Sequence, residues 1–174
     1  MAAEPDSSRK ASCIGPGEAR ARVLPAETPL AFLLLPCTRC ELVQLLELLT
    51  EEARRLRDAG LAPGAPSRVE LLVVMDGPMT VINKRAMGST GPTNILSFPA
   101  DPLDGEASLV LSAETFTREC LLYGQDRREH LVRLLCHGMG HVCGFDHGPA
   151  MDHLTAALEA AAALWPGEGA HARG

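Results

Sequence analysis

Three of the six histidines in this chain stand within eleven residues, in the stretch HGMGHVCGFDH at residues 137–147. If the first part of this stretch is helical, His137 and His141 lie one turn apart on the same face, with Cβ atoms about 5–6 Å apart. Gly144 can end that helix in the left-handed conformation, which glycine adopts without steric cost, so that the chain turns back and brings His147 close. Three imidazoles leave the fourth position of a tetrahedral zinc site to water, as in catalytic sites. We therefore predict one zinc ion per chain, bound by these three histidines.

The histidine spacing is close to that of the metzincin peptidases, H-E-x-x-H-x-x-G-x-x-H, whose glutamate is the general base. In this chain Gly138 takes the place of that glutamate, so the peptidase base is missing. Asp146 is the nearest carboxylate in sequence, and its simpler role is a hydrogen bond that orients His147 or the turn. A metzincin-like zinc peptidase is therefore an alternative that Gly138 disfavours.

The remaining histidines and the cysteines carry weaker signals. His130 can lie along the same helix face as the first two ligands, and we predict that it is exposed. Cys37 and Cys40 form a single C-x-x-C, which without a second pair indicates two thiols at the start of a helix rather than a zinc or redox site. Cys136 and Cys143 flank the first two ligands but lie off their helix face, which predicts buried packing.

Composition places the chain among globular proteins of one domain. It has 174 residues, of which 46% are hydrophobic and 22% charged, and its net charge of −6 does not indicate a general nucleic-acid binder. The first ten residues are polar, and the apolar run PLAFLLLP is too short to cross a bilayer. These features predict a cytoplasmic protein with reduced thiols and no membrane association.

The chain divides into three parts by composition. Residues 1–28 are rich in Ala, Pro, Ser and Arg without any period, which predicts a loosely ordered N-terminal extension. Residues 29–166 are predicted to form the folded domain, and residues 167–174 a C-terminal tail.

The folded domain shows four strand patterns and about five helix patterns. The strands are predicted at LAFLLL, RVELLVVM, NILSFP and SLVLS. Thr38 and Glu41 form a capping box before a long amphipathic helix. Further helices are predicted at 79–86, at 114–123, over the histidine-containing segment 126–144, and from Pro149 onward. This order favours an α+β fold: a single compact domain in which a small four-stranded mixed sheet packs with the helices, and the zinc site lies at the end of a central helix.

Two separated motifs resemble those of the YbeY family, metal-dependent endoribonucleases of ribosomal RNA maturation. The family pattern H-G-x-x-H-x-x-G-[YF]-D-H reads here as HGMGHVCGFDH, and P-T-[DN]-[VI]-L-S-F-P reads as PTNILSFP at residues 92–99. Between them ASLVLS is similar to the family's G-D-[IL]-x-[IL]-[SC]. The resemblance spans roughly residues 38–160.

The resemblance implies that His137, His141 and His147 are zinc ligands and that the NILSFP strand borders the metal cleft. Ser97 would face either the cleft or the core, and is a weak candidate for substrate binding. The implied activity is cleavage of single-stranded RNA, with maturation of the 3′ end of small-subunit rRNA and ribosome quality control. The implied partners are rRNA and the small ribosomal subunit, and no DNA is expected.

The chain departs from the family pattern in two places. An arginine that usually precedes P-T falls here on Met87, after Ala86, and Arg85 is the nearby cation that can replace it in substrate binding. The family's Gly-Asp before the fourth strand is replaced by Ala107 and Ser108. No residue is identified as the general base. Because methionine cannot pair with a phosphate, a non-catalytic ribosome-associated factor with a structural zinc stays a second alternative.

Overall fold

The computed structural model of the protein describes residues 20–24, 29–100 and 105–166. Within these residues the chain forms four strands and six helices. The strands are β1 (Ala21–Val23), β2 (Arg68–Val74), β3 (Ile95–Phe98) and β4 (Glu106–Ser112). The helices are α1 (Leu30–Leu33), α2 (Arg39–Asp58), α3 (Asp76–Met87), α4 (Ala113–Tyr123), α5 (Arg127–Val142) and α6 (Pro149–Ala162). Along the chain these elements follow in the order β1-α1-α2-β2-α3-β3-β4-α4-α5-α6.

The four strands form one mixed sheet in the order β1-β2-β4-β3. The strands β1, β2 and β4 run parallel, with Leu71 of β2 opposite Leu109 of β4. The last strand, β3, is antiparallel to β4, with Leu96 opposite Val110. The predicted α+β fold with a four-stranded mixed sheet is thus confirmed.

Both faces of the sheet are covered, which explains why its central strands are apolar at successive positions. One face packs against α2, α5 and α6 in the main core, and α3 covers the other face in a smaller core. The smaller core consists of Val74, Met79, Leu96 and Val110. The strand β3 lies at one edge of the sheet, and α5 and the end of α3 meet the sheet at this edge.

The long helix α2 begins where the sequence predicts. The Thr38 hydroxyl accepts a hydrogen bond from the backbone N–H of Glu41, and the Glu41 carboxylate accepts one from the Thr38 backbone N–H, so the capping box is formed. The buried positions repeat with helical spacing at Leu42, Leu45, Leu46, Leu49 and Ala53. This stripe attaches α2 to the main core.

The prediction of a strand at LAFLLL is wrong. Leu30–Leu33 forms the short helix α1, in which Ala31 is buried while Leu30 and Leu33 are 57% and 78% exposed. A short apolar run without period does not distinguish a buried strand from a helical turn. Its place in the sheet is taken by Ala21–Val23, which pairs with β2.

The strand β1 also corrects the predicted N-terminal extension, because it lies inside residues 1–28. The other residues of that extension, 1–19 and 25–28, and the predicted tail 167–174 lie outside the described residues. None of the helices in the described ranges combines the length and the apolar character that a membrane span requires.

Candidate metal centre

Two glycines allow α5 to approach its neighbours closely. A Cβ atom on Gly138 would lie 3.0 Å from the side-chain methyls of Ile95 and Leu109, on the sheet. A Cβ on Gly140 would lie 2.8 Å from the terminal methyl of Met151, on α6. A large residue at position 138 would push α5 away from the sheet, whereas at position 140 the flexible Met151 side chain would have to move aside, so Gly138 contributes most to the placement of the helix that carries the first two histidines.

The turn after α5 has the predicted form. Gly144 has a φ of +91°, in the left-handed region. Its N–H donates to the His141 carbonyl at 3.0 Å, and the N–H of Phe145 donates to the Gly140 carbonyl at 3.2 Å, which together make a Schellman motif. The helix therefore ends abruptly, and the chain folds back over its own last turn toward His137.

The three predicted ligands come together at this turn. Their ligand nitrogens all lie within 4.8 Å of one another. The ring centroids of His137 and His141 are 4.8 Å apart, and the His147 ring lies 5.3 Å and 4.8 Å from them. The first two are half-buried, and His147 is exposed. Three nitrogens this close together could hold one metal ion.

The surroundings of the histidines favour metal binding. Burial, and then the neighbouring His141 and His147, lower the pKa of His137, which keeps its imidazole neutral and able to coordinate a metal at neutral pH. Nδ1 of His141 lies 3.0 Å from the Phe145 carbonyl oxygen. Because a carbonyl only accepts, this contact places the proton on Nδ1 and leaves Nε2 for a metal.

The two cysteines beside the ligands are buried, as predicted. Burial raises the pKa of Cys143 to about 11, and it raises the pKa of the Cys136 thiol further. A metal binds the thiolate rather than the thiol. Both side chains lie in the main core, and among the described residues the ligand atoms close enough to share one ion are those of the three histidines.

The histidines open into a cleft of about 800 Å³ between α5, the edge strand β3 and the end of α3. Its polar lining, apart from the histidines, consists of Asn83, Ser89, Thr93, Asn94, Ser97 and Asp146. No lysine or arginine is among the described residues that line it. The described lining therefore offers imidazoles, neutral polar groups and one carboxylate, without a side-chain cation.

The other predicted site residues take different positions. Ser97 lines the cleft rather than the core. Arg85 is exposed near the end of α3 and is absent from the lining, whereas Met87, 66% exposed, belongs to it. A role for Arg85 in binding RNA stays a prediction. Asp146 lines the cleft, and no hydrogen bond joins it to His147 among the described residues; the oriented ligand is His141, through the Phe145 carbonyl.

The prediction that His130 is exposed is wrong. Its ring is buried and stacks on Phe116, with centroids 5.6 Å apart, and Nε2 lies 2.9 Å from a carboxylate oxygen of Glu119. Glu119 in turn accepts from the amide of Asn94, which lines the cleft. The sequence did not predict this line of contacts, because Asn94 directly precedes β3 while Glu119 and His130 lie on α4 and α5. The only available signal was the position of Asn94 inside PTNILSFP.

Residues 41–160 of the chain match the model of a protein family that is described as Endoribonuclease YbeY. The matched region begins in the first turn of α2 and ends in α6, and it contains the whole histidine cluster and both sides of the cleft.

Individual relatives agree with this match. An Endoribonuclease YbeY of Nitratidesulfovibrio vulgaris is 44% identical over 115 residues, which cover 54% of this chain and 71% of that protein. One of Lawsonia intracellularis is 34% identical over 124 residues, covering 71% and 85%. A solution structure of a Thermotoga maritima protein superposes with a TM-score of 0.51 at 18% identity, over 83% of this chain and 91% of that one, and supports the fold alone.

Proposed function

Because the chain belongs to the YbeY endoribonuclease family, we propose that it is a zinc-dependent endoribonuclease specific for single-stranded RNA. The observation that carries the proposal is the convergence of three imidazoles at the wall of an open cleft. The cellular role we propose is maturation of the 3′ end of small-subunit rRNA and ribosome quality control. Its partners would be rRNA and the small ribosomal subunit in the cytoplasm, without DNA.

Zinc suits the donor set, since three imidazole nitrogens and an open position are typical of catalytic zinc sites. When bound, zinc supplies Lewis-acid chemistry, which includes polarisation of a phosphoryl oxygen and acidification of a water ligand. We propose one ion per chain. The contribution of the chain is to keep His137 neutral, to hold the proton of His141 on Nδ1, and to return His147 through the turn at Gly144.

RNA is favoured over peptide by the residue next to the first ligand. Peptide hydrolysis must protonate a poor amine leaving group, a task for which metzincins use the glutamate in this position. In this chain the position is Gly138, where an added Cβ atom would already lie 3.0–3.2 Å from Ile95, Leu109 and Ser97, which leaves little room for a glutamate side chain. Cleavage of RNA does not require a glutamate at this position, because the 2′-hydroxyl of the RNA itself can act as the nucleophile.

The cleft also favours an unpaired strand. A single strand can unstack its bases and adapt its backbone to a narrow cleft, whereas a duplex stays stiff. Because lysine and arginine are missing from the described lining, few counterions are released on binding. We therefore expect weak binding with a shallow dependence on salt.

The test compares four substrates with the zinc-loaded protein: a single-stranded RNA, its all-deoxy equivalent, an RNA duplex and an unstructured peptide. We expect cleavage of the single-stranded RNA alone, and loss of that cleavage in His137→Ala. Peptide cleavage that depends on His137, with RNA left intact, would establish the peptidase alternative. Metal binding without any cleavage would support the non-catalytic ribosome-associated factor.

A further inference from the structure

A line of polar contacts leads from the cleft wall into the protein interior. The amide nitrogen Nδ2 of Asn94 lies 3.1 Å and 3.2 Å from the two carboxylate oxygens of Glu119. One of those oxygens lies 2.9 Å from Nε2 of His130, whose buried ring stacks on Phe116. Asn94 is the only member of this line that also lines the cleft.

The amide of Asn94 is held in one orientation. Its side-chain oxygen accepts the backbone N–H of Ile95 at 2.7 Å, and its backbone carbonyl accepts the N–H of Ser112 at 2.8 Å. A flipped amide would point a donor at the Ile95 N–H and an acceptor at the Glu119 carboxylate. Both contacts would then be lost, so the Ile95 N–H and the Glu119 carboxylate determine which atom of the amide is oxygen and which is nitrogen.

This orientation leaves one N–H of the amide available. The two N–H bonds of Nδ2 diverge widely, whereas the two oxygens of Glu119 lie in nearly the same direction from the nitrogen. One N–H is therefore shared between both oxygens. The second N–H has no acceptor among the described residues, although Asn94 is half-buried in a cleft shared with the three histidines.

We propose that Asn94 is a substrate-binding residue, which donates this second N–H to a phosphate oxygen of the RNA strand. Glu119 and His130 are positioning residues that hold the amide in place. The proposal rests on the proposed ribonuclease function. It suits the cleft, because the described lining offers neutral donors and no lysine or arginine to hold phosphate oxygens.

A neutral donor has a signature that a lysine or arginine does not have. Neutralising a phosphate with a cation releases condensed counterions, and each such contact changes the slope of log affinity against log salt by about 0.9. An amide N–H releases none. We expect Asn94→Ala to lower kcat/KM on single-stranded RNA by about 10- to 100-fold, as for a hydrogen bond to a charged group, with an unchanged salt slope. Gln44→Ala removes an exposed amide of α2 outside the cleft and is the matched control, expected to equal the wild type.

Two further variants separate the substrate contact from the structural pairing. Asn94→Asp places two carboxylates face to face and should lower the Tm. Adding Glu119→Gln should restore the Tm, because the glutamine amide can donate to the new carboxylate while its oxygen still accepts from His130. This double variant has no N–H to offer the RNA at position 94. Its kcat/KM should therefore stay low although its stability returns.

Five results would count against the inference. Wild-type kcat/KM in Asn94→Ala, or a loss that vanishes at another salt concentration, overturns the RNA contact. A double variant that regains kcat/KM together with its Tm overturns the role of the amide donor. A double variant that regains neither overturns the pairing of Asn94 with Glu119. If the zinc-loaded wild type cleaves no RNA, the proposed function and the RNA contact are both rejected. The Tm values of the wild type, Asn94→Asp and the double variant still test the pairing of Asn94 with Glu119.

Discussion

The hydroxyl oxygen of Ser97 lies 3.2 Å from the point that a Cβ atom on Gly138 would occupy. Ile95 and Leu109 are closer still, at 3.0 Å. Gly138, the residue after the first ligand, is therefore a packing contact between α5 and the strands β3 and β4. At the position that holds the base in metzincins, packing against the sheet therefore leaves little room for a side chain as large as glutamate.

Gly138→Glu should therefore destabilise the protein and create no peptidase activity. A buried carboxylate in a packed contact combines overpacking with desolvation of a charge, and we expect a loss of at least about 3 kcal/mol in the free energy of unfolding. Gly138→Ala should lose much less, because neighbouring methyls can shift by a few tenths of an ångström and alanine gains up to about 1 kcal/mol in helix propensity. Urea unfolding of the three proteins measures this. Wild-type stability in Gly138→Glu would contradict the packing role.

Zinc content should depend on His141. The purified protein should hold about one zinc per chain, and His141→Ala should lose most of it, since two imidazoles seldom hold zinc tightly. Elemental analysis after dialysis measures the content. His153→Ala removes an exposed histidine of α6 that lies outside the cluster, and should keep the metal. A fully metallated His141→Ala protein would exclude this ligand set.

Arg85→Ala tests whether this arginine replaces the missing family arginine. If it does, RNA affinity should fall, and the slope of log affinity against log salt should decrease in magnitude by about 1. The Tm should stay nearly unchanged, because the side chain is exposed. Arg55→Ala on α2, also exposed, is the matched control. Wild-type affinity and slope in Arg85→Ala would reject the replacement.

Met87→Arg is the opposite experiment. Met87 lines the cleft and is 66% exposed, so an arginine can extend there without disturbing the core. The new cation should raise RNA affinity and make the salt slope steeper by about 1. Titration of a labelled RNA at several salt concentrations checks both quantities. An unchanged slope would show that position 87 does not reach the phosphates.

Asp76 should make stability depend on acid pH. Burial raises its pKa, but hydrogen bonds from Ser112, Thr115 and Arg118 and the charge of Arg118 outweigh burial, so that the pKa lies below its ordinary value. The stability that the carboxylate contributes is therefore complete above the unfolded-state pKa of about 3.9, and is lost as the pH falls toward the folded-state value.

The measurement compares the wild type with Asp76→Asn in urea at pH 7 and at pH 3. At pH 7 the variant should be less stable by about 1–3 kcal/mol, because it loses charge-assisted hydrogen bonds. The difference should shrink at pH 3. A difference that grows on acidification would mean that the carboxylate is not stabilised in the folded state.

The local features of this protein were predictable from its sequence, because they depend on residues that are near one another in the chain. The capping box at Thr38 and the left-handed turn at Gly144 both formed as expected. The spacing of His137, His141 and His147 was sufficient to bring them together, since one helical turn and one tight reversal determine their distances. The strands β2, β3 and β4 followed from their apolar pattern.

Other features were decided only by tertiary packing. Pairing with β2 makes Ala21–Val23 a strand, while the more apolar run at Leu30–Leu33 becomes a helical turn. His130 is buried because α4 brings Phe116 and Glu119 against it, and nothing local distinguishes it from an exposed histidine. The choice of Met87 over Arg85 for the cleft lining depends in the same way on how the end of α3 meets the edge of the sheet. Such contacts join residues distant in the chain, and short-range spacing carries no information about which of them will meet.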